Sequence, residues 1–139
     1  MDQPTTPIVC DMSGASDTGP ERLLEYQRLF DQAFIGRERT AEGIRFHLRA
    51  DDGIEAWVRD LADREKACCP FFSFTVATNA GEVMWDAAVI DDDIARDILD
   101  EFYRLPDTVG DGVAGLERRL RDRGRQITTN AAGTVTQAH

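Results

Sequence analysis

The sequence predicts an α+β domain: a small mixed sheet of about four strands with helices on one face, in the order β-α-β-α-β-β-α, followed by a C-terminal helix and tail. Three observations predict it. Apolar residues alternate with polar ones in some short stretches, they recur every three to four residues in others, and turn or cap residues separate the two kinds. The chain of 139 residues suits a single domain with a real core, placed over residues 1–112, with 113–139 as a short amphipathic helix and a disordered tail.

Ile8, Cys10 and Met12 alternate with Val9 and Asp11, a strand with Cys10 on the face of Ile8. Ser13 to Gly19 reads as a turn. Thr18 followed by Glu21, with Pro20 between, is a capping box, and Leu23, Tyr26, Phe30, Ala33 and Phe34 mark the buried face of a helix that Gly36 closes. The polar stretch Arg37 to Glu42 reads as a connection to a strand in which Ile44, Phe46 and Leu48 alternate with Arg45, His47 and Arg49. Asp52 and Glu55 repeat the capping signature for a second helix, with Ile54, Trp57, Val58 and Leu61 inward. Pro70 stops that helix at Cys69, because the residue before a proline is pushed out of the α region. Phe72, Phe74 and Val76, then Val83, Trp85, Ala87 and Val89, form two strands around a turn at Asn79-Ala80-Gly81, a β-hairpin. Asp91, Asp92 and Asp93 cap a third helix with Ile94, Ile98, Phe102 and Leu105 inward and Pro106 at its end. Val113, Leu116 and Leu120 form the last short stripe, and 124–139 is the tail. Strand-helix-strand steps favour right-handed crossovers, and the polar outer face of the sheet meets water or a second subunit.

Composition narrows the partners. Twenty-six acidic residues against 16 basic ones give a formal charge of -10, the opposite of the basic footprint that holds phosphate backbones, so nucleic acid is not expected. No apolar run approaches the length of a membrane span, and the first residues lack the positive start and apolar core of a secretion signal, so the expected location is the reducing cytoplasm. From Val113 onward five Arg face two acids, a basic stripe that could dock on the acidic body of a second copy as a homodimer. There is no phosphate-binding glycine loop, no serine elbow and a second histidine only at the last position, so enzymatic activity has little support.

The informative run is Arg64-Glu65-Lys66-Ala67-Cys68-Cys69-Pro70. The buried stripe of the second helix continues onto Glu65 and Cys68, a carboxylate and a thiol where the period calls for leucine. Ionic groups at core positions are costly unless paired or coordinated. Glu65 stands three residues before Cys68 and four before Cys69, over the same helical turn, and Cys10 could bring a third sulfur from the first strand. Soft thiolates select soft ions, so Cys10, Cys68 and Cys69, with Glu65, suit mercury, arsenic or copper. Zinc ranks lower because its sites space cysteines C-x2-4-C and His47 is the one nearby nitrogen. Haem ranks lower as well, resting on the Cys69-Pro70 dipeptide alone. A helix C-terminus favours a bound cation over a thiolate nucleophile, which puts ion capture ahead of redox catalysis. The plainer reading is that all three cysteines pack as small hydrophobes, with Glu65 turned to water or paired with Arg64 or Arg96.

At Glu65-Lys66-Ala67-Cys68-Cys69-Pro70-Phe71-Phe72-Ser73-Phe74 the chain resembles a set of small bacterial proteins with an E-x-x-C-C-P-F-x-x-F-like segment between a helix and a strand, a likeness running from Ile8 to Pro106. Some of those proteins occur beside heavy-metal resistance functions, and the resemblance implies a thiol-metal role. The chain does not resemble mercury-scavenging domains with a C-x-x-C loop and carries no recognisable DNA-reading helix-turn-helix. The expected function is therefore binding of a soft metal or metalloid ion, for buffering or sensing. The alternatives are a homodimeric interaction module with core cysteines and a small thiol-dependent redox protein or haem-linked site.

Overall fold

A computed structural model describes residues 9–10, 17–109, 118, 122, 127–129 and 135–137. Its elements are β1 (Val9–Cys10), α1 (Gly19–Ala33), β2 (Phe34–Arg39), β3 (Gly43–Arg49), α2 (Ile54–Cys68), β4 (Phe72–Asn79), β5 (Glu82–Val89), α3 (Asp93–Thr108), β6 (Ile127–Thr129) and β7 (Val135–Gln137). The class is α+β, as the patterning predicts.

Four strands form one sheet in the order β2-β3-β5-β4. Every ladder in it is antiparallel, where a mixed sheet is the sequence expectation. The reason is the position of β5. The connection from β3 through α2 to β4 is a crossover between parallel strands, but the β4–β5 hairpin returns β5 into the gap, so neither parallel strand touches the other. Ala80 and Gly81, both with positive φ (53° and 80°), make the two-residue turn whose twist suits such a hairpin.

One face of the sheet carries the core. Ile44, Phe46 and Leu48 of β3 stand opposite Ala87, Trp85 and Val83 of β5, and all six are buried. Tyr26, Leu29, Phe30 and Ala33 of α1, Val58 and Leu61 of α2, and Ala95 and Leu99 of α3 cover them. Each large apolar side chain buried in this way contributes about 1.5–3 kcal/mol. Phe102 meets Trp85 and Phe46 edge-on, with ring centroids 5.5 and 5.2 Å apart. On the opposite face, Arg45 donates two hydrogen bonds to Asp86, and His47 sits between Glu38 and Glu82.

Several local expectations change. The capping box at Thr18 and Glu21 forms in full, but α1 ends at Ala33 rather than Gly36. The stretch expected as a polar connection is largely strand β2, with a bulge between Phe34 and Gly36. Its charges hide the strand pattern because Arg37 and Arg39 face α3, where they stack on Tyr103 and pair with Asp107 and Asp100. The cap of α2 is Gly53 in a left-handed conformation, without a side-chain bond from Asp52. Pro106 lies inside α3, which stops within three residues, as a ring that displaces a backbone hydrogen bond requires. The first strand joins no described ladder of the main sheet. Val9–Cys10 pairs with Val135–Gln137, which pairs with Ile127–Thr129, so segments expected in a disordered tail form strands. The stripe expected at Val113, Leu116 and Leu120 lies outside the described residues.

Candidate functional site

The C-terminal turn of α2 turns Glu65 and Cys68 inward, as the helical period predicts, and Cys69 caps the helix with its N–H on the Glu65 carbonyl at 2.7 Å. Cys68 and Cys69 are each 4% exposed. Cys68 is a free thiol and Cys69 is held in a disulfide. Cys10 belongs to β1, and its side chain lies outside the described residues.

Arg22 is the residue that organises this turn. It occupies a core position on α1, one turn before Tyr26, and its side chain is 4% exposed. Its Nη1 donates to Glu65 Oε1 at 3.2 Å and to Cys68 Sγ at 3.5 Å. Its Nε and Nη2 donate to the two oxygens of Asp17 at 2.9 and 2.7 Å, a bidentate pair. The network continues outward. Arg64 donates to Asp17 at 3.1 Å, to both oxygens of Glu25 at 2.9 and 2.6 Å, and pairs with Asp60, while the Trp57 indole N–H donates to Glu25 at 2.6 Å.

Burial and charge shift the titrations in opposite directions. Burial raises the pKa of Glu65 even though Arg22 opposes it. Hydrogen bonds from Arg22 hold Asp17 below the ordinary carboxylate value, and those from Arg64 do the same for Glu25. Burial works against the charge of Arg22, but Asp17, Glu65 and Cys68 more than offset it, so its pKa rises. Tyr26 is buried beside this network. Burial, reinforced by the negative charge of Glu65, pushes its phenol well above the ordinary value, and its hydroxyl has no hydrogen-bond partner of full geometry among the described residues.

Of the residues expected at the site, the structure brings Glu65 and Cys68 together through Arg22 and sets Cys69 beside them. Glu65 pairs with Arg22 and not with either candidate from the sequence; Arg64 is engaged with Asp17, Glu25 and Asp60, and Arg96 with Asp91 and Asp93. His47 lies on the outer face of the sheet, away from the helix layer that holds the cysteines. Among the described residues, no group of three or more His, Cys, Asp or Glu side chains is arranged to hold a metal ion. Sequence reasoning missed Arg22, whose signal was its place on the stripe it shares with Tyr26, Leu29 and Ala33; a cation at a core position of one helix is the natural partner of an acid at a core position of another.

On the other side of α2, Arg59, Asp63 and Lys66 face Phe74 and Val76 of β4 across a groove of about 440 Å³. Lys66 donates to the carbonyls of Pro70 and Phe72, and Arg59 donates to that of Val76.

Comparison with protein-family models, with curated proteins and with solved structures finds no match to the chain. No helix among the described residues is long and apolar enough to cross a membrane.

Proposed function

We propose that the protein binds a soft metal or metalloid ion through the thiols of Cys68 and Cys69, with Cys10 as a third sulfur, in the reducing cytoplasm. The observation that carries this reading is the inward turn of Glu65 and Cys68 onto one shared guanidinium, that of Arg22. The charge of Glu65 is met there by Arg22, so a guest at this depth must be nearly neutral once bound, since an unpaired buried ion is costly. Mercury(II) and arsenic(III) satisfy that condition with two sulfurs. A mercury(II) ion and two thiols give a neutral dithiolate and two protons. Arsenous acid and two thiols give a neutral dithiolate arsenic hydroxide and two waters. Copper(I) bound by two thiolates keeps one negative charge and fits less well, because Arg22 already faces the carboxylates of Asp17 and Glu65. Zinc also fits less well, because it asks for four ligands. Glu65 acts in this reading by holding Arg22 against the Cys68 sulfur.

Native mass spectrometry of the reduced, folded protein with arsenite or mercury(II) is expected to show one adduct per chain, lost in Cys68→Ser and in Cys69→Ser and weakened in Cys10→Ser. Absence of any adduct from the reduced, folded protein overturns the reading. A second reading, a non-catalytic interaction module that pairs with another copy of itself, is favoured by the depth of Cys68 and Cys69 within the apolar core. It expects stability losses of about 1 kcal/mol or more in the same variants and no adduct in any of them.

A further inference from the structure

We infer that the cysteine site is a redox gate, closed to its ion while Cys69 is in its disulfide and opened by two-electron reduction; the inference rests on the ion-binding reading above. A disulfide sulfur carries no thiolate, and thiolate is the form that ligates a metal. With Cys69 oxidised, Cys68 is the one thiol at the end of α2. One thiol cannot form the neutral dithiolate that the buried position demands. Disulfide and bound ion are therefore mutually exclusive states of Cys69, which like its neighbour Cys68 is almost completely shielded from water.

The opening step balances with a cellular thiol as reductant. Two thiol molecules, glutathione for example, reduce the Cys69 disulfide to two protein thiols and leave as one oxidised disulfide. Arsenous acid then condenses with the Cys68 and Cys69 thiols, releasing two waters. Because the ion binds the reduced form alone, it must favour that form in proportion to its excess over Kd. For a two-electron couple each tenfold excess moves the midpoint by ~30 mV towards more oxidising potentials. A shift to oxidising conditions has the reverse effect and expels the ion. A disulfide in a thiol-rich compartment is ordinarily transient or redox-sensing, which agrees with a gate.

The test is a redox titration of the full chain in glutathione buffers, with and without arsenite. Alkylation under denaturing conditions followed by mass spectrometry reads the oxidation state of Cys69, and equilibrium dialysis reads bound arsenic. Cys69 is expected to escape alkylation in the oxidised protein, which binds no arsenite, and to be alkylated in the reduced protein, which binds one equivalent. Added arsenite is expected to move the midpoint by ~30 mV per tenfold excess. Equal binding by both forms, or a midpoint that arsenite does not move although the reduced form binds it, overturns the gate and leaves ion binding standing. Failure of the reduced, folded protein to bind arsenite overturns the gate, and failure to bind mercury(II) as well overturns ion binding with it.

Discussion

Arg22 is a guanidinium nearly sealed from water, between a bidentate partner on one side and a carboxylate and a sulfur on the other. Removing one member of a buried pair leaves the other charged and unsolvated, so Arg22→Met is expected to cost about 3–5 kcal/mol in urea unfolding, and Arg22→Met combined with Glu65→Leu is expected to recover much of that loss. Gly43 has a different constraint. A Cβ built there would lie 2.1 Å from the Ala87 carbonyl oxygen, so Gly43→Ala must push β3 from β5 and is expected to cost about 1–3 kcal/mol in the same measurement. The titrations give a pH dependence with a definite sign. Asp17 and Glu25 have folded pKa values below their ordinary 3.8 and 4.5, so the stability they confer is complete above those values and is lost as pH falls through the lower folded ones. Glu65 runs the other way: its folded pKa is raised, so its contribution declines as pH climbs from 4.5 through the raised value. Urea midpoints measured from pH 3 to 7 are expected to fall on the acid side, with a shallower acid limb in Asp17→Asn. At this scale the sequence disclosed that Glu65 and Cys68 break the apolar stripe. It did not disclose that Arg22 answers them, because the two helices meet only in three dimensions.

The sheet has two edges, and they are protected differently. β2 carries Arg37, Glu38 and Arg39 and a bulge, devices that discourage another strand from pairing. β4 has no charged residue and keeps regular register with β5 along its eight residues. Its protection comes from α2, whose Lys66 and Arg59 occupy the carbonyls of Phe72 and Val76. The double variant Arg59→Ala, Lys66→Ala is therefore expected to self-associate at concentrations where the parent protein does not, measured by light scattering and sedimentation velocity, with little change in secondary structure by circular dichroism. The elements that sequence periodicity located well, α1, α2 and the β4–β5 hairpin, bury one face and wet the other. β2 escaped because both its faces carry charge, one toward water and one toward Tyr103 and the acids of α3, so no alternation survives in the letters.

The core formed by three helices on one face of the four-stranded sheet is built from residues between Tyr26 and Val109. A fragment spanning 17–109 is accordingly expected to unfold cooperatively in urea with a circular dichroism spectrum of mixed helix and strand. Sequence alone determined the class, the hairpin, the helix stop before Pro70 and the anomaly at Glu65 and Cys68, because each of these follows from local sterics or from the period of one element. Tertiary structure decided that β5 enters between β3 and β4 and that Val9–Cys10 pairs with a strand from the far end of the chain. It also decided that Cys69 is oxidised and that Arg22 joins an acid to a sulfur. These depend on which surfaces meet across long separations in the chain, and no periodicity within a single segment encodes such a meeting.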